Sequence, residues 1–327
     1  MHTNPRHLRD HSIPPVISVI CPVYNEEKYI TKLLELFTKS QPANKELIIV
    51  DGGSTDATLK IFRSWEIGES EISLIHNPSR YVSFALNKAI EKARGEIIVR
   101  LDAHTSYAED YFEAILAVFS RTGADIVGGP TRTAYLDSMQ EAIAYAICTP
   151  FAIGNSRVHQ LGYEGYTDSV TFGSWKRKMF STTGLFDESL KRNQDDEFHY
   201  RARSLGFSIY QSPDIKLYYY PRNSLNRLFR QYYEYGLYKP LVLKKVNSGL
   251  QLRHLIPAVF VLYLFSLFIA VAYIFWLIPL GLYLLAGAFY TLRSHKRIAV
   301  LVRLFFVYPA IHLAYGLGFL AGLRKAL

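Results

Sequence analysis

From Val16 onward, short apolar runs alternate with stretches in which apolar residues recur every three or four positions. The run "VISVICP" reads as a strand, and "EEKYITKLLELFTKS" as a helix whose apolar face is Ile30, Leu33, Leu34 and Phe37. Next come "ELIIVD" as a strand, "TDATLKIFRSW" as a helix opened by a capping residue, and "ISLIH" as a strand. "SFALNKAIEKAR" is expected to be a helix closed by Gly95, with "EIIVRLD" the strand after it. Continuous apolar strands separated by helices predict an α/β fold with a mostly parallel sheet covered on both faces. Ligands of such open sheets collect at the carboxyl ends of the strands, where Asp51 and Asp102 both fall.

The pattern changes near residue 225. From Leu255 to Leu292 there is no Asp, Glu, Lys or Arg, a run well beyond the roughly 20 residues that one membrane span needs. Two helices joined near "WLIPLG" are expected there. A third apolar run carries Arg303, Pro309 and His312, and either crosses a membrane or lies at its surface. Before these, "SLNRLFRQYYEYGLYKPLVLKKV" interleaves aromatic and apolar residues with Arg227, Arg230, Lys239, Lys244 and Lys245, the pattern of an amphipathic segment on a membrane surface. The expected division is a loose arm over 1–14, a soluble α/β domain over 15–222, a membrane-interface segment over 223–253 and a transmembrane region over 254–327. The last holds two to three helices, about 255–275, 277–292 and 298–323.

Composition sharpens this picture in three ways. The chain has 327 residues and a formal charge of +9, but much of the excess sits in "LVLKKVNSGLQLRH" and "RSHKR", beside apolar spans. Cations there are read as topological or lipid-facing, and nucleic acid is not expected as a partner. Basic flanks on both sides of the first two spans put the soluble domain on the cytoplasmic side of a multi-pass protein of the cell (inner) membrane. The two cysteines, Cys21 and Cys148, lie in apolar segments and read as buried reduced thiols. The opening "MHTNPRHLRDHSIPP" is polar and proline-bearing, unlike a cleavable signal.

Three acidic clusters carry candidate chemistry. In "VDGGSTDAT", Asp51 ends a strand, two glycines permit a tight turn, and Ser54, Thr55 or Asp56 can cap the next helix. No G-x-G-x-x-G or P-loop pattern is formed. In "RLDAHT", a strand-end carboxylate and an imidazole two positions on can hold a divalent cation against a diphosphate; imidazole favours Mn²⁺ over Mg²⁺. The alternative is that Asp102 caps the turn and His104 only lines a pocket. In "NQDDEFHYRARSLGF", Asp195, Asp196 and Glu197 open a helix whose apolar face is Phe198, Ala202 and Leu205. The helix dipole favours acids in a first turn, but three exceed that need, and one can serve as a general base.

Taken together, "ISVICPVYNEEKYI", "ELIIVDGGSTDAT", "SFALNKAIEKARGEIIVRLDAH", "TGLFDESL" and "QDDEFHYRAR" resemble, in order and spacing, glycosyltransferase family 2, whose members have the GT-A fold. The resemblance spans about residues 15–235. The Asp-Ala-His version, the "RQYYEYG" segment and the C-terminal apolar helices resemble the branch containing succinoglycan-type glucosyltransferases of exopolysaccharide assembly.

The resemblance implies roles residue by residue. Pro22, Tyr24, Asn25 and Glu26 match the segment flanking the nucleotide base and ribose, and Asp51, with Gly53 in the same turn, matches the strand-end acid on the uracil side. Asp102 matches an acid of the D-x-D motif, whose third position is His104 here. Asp195 aligns with the acid of the family's "ED" motif, the proposed base, although Gln194 replaces the preceding Glu; Asp196 is its rival. After Gln231 the chain reads "YYEYG" in place of the Q-x-x-R-W motif of processive synthases. The expected activity is therefore inverting, non-processive and metal-dependent (Mn²⁺ or Mg²⁺). It would transfer a hexose from a UDP-sugar donor to a polyprenyl-diphosphate-linked saccharide. Membrane lipid and other polysaccharide-assembly proteins are the further partners expected. Two alternatives stand beside it: a polyprenyl-phosphate sugar synthase, and a non-catalytic membrane scaffold that keeps the fold.

Overall fold

Strand β1 (Ile17–Val23) lies at the centre of a sheet and is followed by helix α1 (Ile30–Lys39), β2 (Lys45–Asp51), α2 (Thr58–Ser64), β3 (Ile72–His76), α3 (Val82–Lys92) and β4 (Ile97–Arg100). The structure, a computed structural model, describes residues 14–65, 72–246, 250–270 and 273–326. All but the last residue of the expected N-terminal arm lies outside the described residues. β1 pairs in parallel with β2 and β4, and β2 with β3. Alternation along β1 divides its side chains: Ile17, Val19, Cys21 and Val23 face one core with the Ile30, Leu33, Leu34 and Phe37 stripe of α1, while Ile20 faces a second core with Ala85, Leu86, Ala89 and Ile90 of α3. α3 ends at Lys92 rather than running to Gly95. Gly95 serves another purpose, since a Cβ there would press into the backbone of Ser18 on β1.

The chain continues through β5 (Ser106–Tyr107), α4 (Tyr111–Thr122), β6 (Ile126–Gly129), β7 (Thr131–Thr133), α5 (Ser138–Ile147), α6 (Pro150–Ile153), β8 (Gly165–Tyr166), β9 (Thr171–Lys176), α7 (Phe180–Thr183), α8 (Gln194–Ser204), β10 (Ile209–Gln211) and β11 (Leu217–Tyr219). The main sheet has the order β3-β2-β1-β4-β9-β6-β10-β8, and β5-β11-β7 form a small second sheet. β9 enters antiparallel between β4 and β6. α8 packs Phe198 and Ala202 against Trp175 of β9 in the second core. Leu205, expected on that apolar face, is the residue after the helix and is exposed, so the face is Phe198 and Ala202 alone. Cys21 is buried as expected. Cys148 is exposed, because it caps the end of α5 where the chain turns out of the core.

Four helices follow: α9 (Leu225–Val246), α10 (Leu252–Ala270), α11 (Ile278–Arg293) and α12 (Ile298–Ala326). α9 and α12 run side by side in the same direction, Tyr233 meeting Gly318 and Leu237 meeting Gly322. Gly236 of α9 sits against the backbone of Tyr315 and Phe319, so glycines on both helices permit backbone contact. α12 also packs on α5 and α6 through Val300, Leu304, Val307, Tyr308 and Ile311. α10 and α11 stack Phe260 on Tyr283 at 4.3 Å, α10 packs Pro257 and Val261 against Gly316 of α12, and both helices present other large apolar side chains outward. The segment 274–293 and α12 are each long and apolar enough to cross a membrane.

The basic residues of this region are not simply lipid-facing. Lys239 is buried and pairs with Asp196, Lys245 pairs with Asp187, and Lys296 and Arg297 both pair with Glu141 of α5. Half the charge that looked topological therefore ties the C-terminal helices to the catalytic domain.

Candidate active site

Two loops meet at the carboxyl ends of β1 and β2. Asn25 adopts φ 56°, a left-handed conformation that Asn tolerates better than most residues. Its Oδ1 accepts from the Thr55 amide at 2.8 Å, and its own amide donates to Ser54 Oγ at 2.9 Å. The Glu26 amide donates to Thr58 Oγ1 and the Glu27 amide to Asp56, while Glu27 accepts from Ala57. The start of α2 is therefore satisfied partly from the β1 loop, in addition to the local bonds from Asp56 to Thr58. Asp51 is nearly buried and accepts from the amides of Gly53 and Ser54, with His76 Nδ1 at 3.9 Å. Gly53 needs its freedom, at φ 82°. Pro22, Tyr24, Asn25, Glu26, Asp51 and Gly53 are thus brought to one edge, with the Arg80 guanidinium over the Tyr24 ring at 5.3 Å.

The second half of the site is built on the end of β4. Arg100 and Asp102 lie two residues apart and so point to the same side. Arg100 Nε donates to Asp102 Oδ1 at 3.0 Å and an Nη to Oδ2 at 3.2 Å. Its other Nη donates to both oxygens of Asp195 at 3.0 Å. Burial works against the charge on Arg100, but the Asp102 and Asp195 carboxylates outweigh it, so the guanidinium is held more firmly protonated than usual. The Asp102 amide donates to the Tyr107 hydroxyl at 2.8 Å, which fixes the turn.

His104 joins the two halves. Its Nδ1 lies 3.0 Å from a Glu26 carboxylate oxygen. That hydrogen bond raises the imidazole's proton affinity against the opposing effect of burial. With Nδ1–H directed to Glu26, Nε2 is left as the nitrogen that can bind a cation, an arrangement in which a carboxylate orients a ligating histidine. Asp102 and His104 fit a divalent cation that draws most of its ligands from phosphate and water, as Mg²⁺ and Mn²⁺ do. Among the described residues no three His, Cys, Asp or Glu side chains form a ready-made cage.

The acids of α8 separate. Asp195 faces Arg100 and Asp102. Asp196 turns to α9, where Lys239 Nζ lies at 2.9 Å. Burial alone would raise the Asp196 carboxyl, and Lys239 more than offsets it, holding it below the usual carboxylate range. Glu197 bonds Arg201 one turn on. Neither Arg100 nor Lys239 stands out in the sequence as a site residue. A lone arginine within the apolar run "IIVRL" was the available signal for the first; for the second there was none, since its partner lies across the fold.

The sequence profile of glycosyl transferase family 2 matches residues 18–184. The succinoglycan biosynthesis protein ExoA of Rhizobium meliloti (strain 1021) is 30% identical over 269 residues, 81% of each chain. A dolichyl N-acetyl-alpha-D-glucosaminyl phosphate 3-beta-D-2,3-diacetamido-2,3-dideoxy-beta-D-glucuronosyltransferase of Methanococcus voltae is 30% identical over 322 residues, 94% of this chain and 97% of that one. In fold, the chain is similar to the mannosyltransferase PcManGT from Pyrobaculum calidifontis, solved in complex with GDP-Man and Mn²⁺: TM-score 0.61 at 17% identity, covering 96% of this chain and 88% of that one. The architecture is accordingly GT-A-like. With the profile matching half its length and ExoA at 30% identity over most of it, this chain belongs to glycosyl transferase family 2.

Proposed function

We propose that the protein is a membrane-anchored, inverting, non-processive hexosyltransferase. It takes its sugar from a nucleotide donor, a UDP-hexose such as UDP-glucose, and gives it to a polyprenyl-diphosphate-linked saccharide during assembly of a cell-surface polysaccharide. The observation that carries this reading is the shared guanidinium: the strand-end acid Asp102 and the α8 acid Asp195 meet on Arg100. Donor and acceptor chemistry then have one acid each at the same edge of the sheet.

Pro22, Tyr24, Asn25, Glu26, Asp51 and Gly53 bind the nucleoside. Asp102 and His104 hold a divalent cation, which when bound supplies positive charge that stabilises the departing diphosphate. Asp195 accepts the proton of the acceptor hydroxyl as that oxygen attacks the anomeric carbon from the face opposite the diphosphate. A single displacement inverts the configuration. Both acids meet a cation, but Asp195 shares Arg100 with the strand-end acid Asp102 whereas Asp196 points away to Lys239 of α9, which favours Asp195 for this role.

A lipid-linked acceptor is supported by the name of the relative from Methanococcus voltae, which contains a dolichyl-linked sugar phosphate, and assembly of a polysaccharide by the succinoglycan role in the name of ExoA; the diphosphate is part of the proposal. The anchoring rests on α10 and α11, which expose the large apolar side chains Ile256, Val259, Phe265, Phe268, Leu282 and Leu285, as does Phe275 in the turn between them, the kind of apolar surface that marks a membrane or partner contact. In this reading α10 and α11 enter the bilayer from the cytoplasmic side. α12, bound along α9, lies at its surface.

The test is the product's stereochemistry. An α-linked UDP-hexose, incubated with the purified protein and a polyprenyl-diphosphate saccharide from membrane extract, should give a β-linked product by NMR. An α-linked product would contradict the single displacement.

A further inference from the structure

Arg100 is an unusual occupant of β4. It is a charged residue in the middle strand of the sheet, its side chain 6% exposed, flanked in sequence by Val99 and Leu101, both fully buried. Burying a cation is costly unless it is paired with good geometry. Here the pairing is complete: one face of the guanidinium fork takes Asp102 with two hydrogen bonds, and the remaining Nη takes both oxygens of Asp195. The Phe172 ring backs it, 5.3 Å from the guanidinium carbon. Phe172 itself has φ 45°, a left-handed conformation unfavourable for an aromatic residue. The surrounding fold therefore holds a strained residue where its ring can brace the arginine.

Two features make the arrangement more than a structural ion pair. Asp195 is 38% exposed on the first turn of α8, and among the described residues its side chain bonds only to Arg100. Without that contact a short, solvent-facing carboxylate would sample several rotamers. Moreover, one cation serves two acids. A change in the charge on either acid must redistribute the guanidinium between them.

We propose that Arg100 is a positioning residue that aims the Asp195 carboxylate and couples it to Asp102, so that occupancy of the donor side tightens the hold on the acceptor side. This rests on reading Asp102 as the donor-side acid. When a cation engages Asp102, the guanidinium loses attraction there and settles on Asp195. Conversely, when Asp195 is neutral the guanidinium settles on Asp102 and competes with the cation.

The experiment is a thermodynamic cycle on binding, independent of turnover. Calorimetry would measure Mn²⁺·UDP, with Mn²⁺·GDP beside it, on the full-length protein in detergent: wild type, Asp195→Asn, Arg100→Gln and the double variant. Asp195→Asn is expected to weaken binding about tenfold with Arg100 present and by no more than about twofold in the Arg100→Gln background, a coupling within the usual allosteric range. An equal factor in both backgrounds would overturn the inference and leave the donor-site reading standing. No binding of either nucleotide to wild type would overturn both. Should Arg100→Gln not fold, Arg100→Met runs the same cycle, because it too removes the charge that the two acids share, whereas lysine would keep the charge without the fork. In turnover, Arg100→Lys should lower kcat at least tenfold with donor KM changed less than threefold; restoration of wild-type kcat by lysine would reduce Arg100 to a structural cation.

Discussion

Lys239 of α9 reaches across the fold to Asp196 of α8, Nζ to Oδ2 at 2.9 Å, and so binds the first C-terminal helix to the helix that carries the candidate base. The neighbouring pairs Arg192–Glu234 and Asn193–Tyr235 repeat the attachment one turn away. A helix that follows the α/β domain in sequence is therefore part of that domain's wall. Lys239→Met should destabilise the protein by about 1–2 kcal/mol, below the cost of breaking a fully buried pair, because Asp196 is 38% exposed and water screens it. Asp196→Asn combined with Lys239→Met should recover part of that loss in thermal melting. A double variant as unstable as the sum of its parts would argue against the pair.

The attachment of the α11–α12 loop should depend on pH. Burial would raise the Glu141 carboxyl, but Lys296 and Arg297, each at 3.1 Å, hold it below the usual carboxylate range. A carboxylate whose pKa falls on folding contributes stability in full above its unfolded value, about 4.3, and loses it as pH drops through the lowered folded value. The difference in melting temperature between wild type and Glu141→Gln should thus be constant near neutrality and shrink below about pH 4. A difference independent of pH would show that Glu141 acts by packing alone.

Close packing of α9 on α12 gives a sharper test. Replacing glycine by alanine inside a helix gains about 1 kcal/mol in propensity. At Gly236 and Gly318, however, the added methyl would press into the backbone of Tyr315 and of Tyr233, which cannot turn aside as a side chain can. The clash, about 1–3 kcal/mol, should win, so Gly236→Ala and Gly318→Ala should each lower the melting temperature. Gly281, whose surroundings are open, should accept alanine without loss. Stabilisation at Gly236 would mean the two helices are not in contact.

Glu26 is predicted to support cation binding through His104. Losing the carboxylate that orients a ligating histidine typically weakens metal binding 10–100-fold. Glu26→Gln should therefore raise the Mn²⁺ concentration needed to retain UDP by about tenfold, read by Mn²⁺ electron paramagnetic resonance. An unchanged titration would remove His104 from the ligand set.

Much of the fold was legible because its signals are local. The strands are continuous apolar runs, α1 carries its stripe at helical spacing, and Asp51 ends β2, while Asp102 follows the end of β4 by two residues. What was illegible depends on partners distant in sequence. Arg100 finds Asp195 95 positions away and Lys239 finds Asp196 43 positions away, and no periodicity reports either. Gly95 looks in sequence like a helix stop, whereas its need is room beside Ser18. The apolar neighbourhood of Cys148 suggests burial, but the residue sits exposed at a helix end. Alkylation of the native protein should accordingly label Cys148 and spare Cys21, whose thiol is fully buried and pushed up by that burial.

The most direct measurement of the central claim is nucleotide release. Detergent-purified protein would be offered a panel of UDP-sugars, with Mn²⁺ or EDTA and native lipid extract, beside Asp102→Ala and Asp195→Ala. The account predicts release of UDP from one sugar, dependent on the cation, stimulated by lipid and lowered by orders of magnitude in both variants. Full activity in Asp195→Ala, or release indifferent to EDTA and to Asp102→Ala, would contradict it.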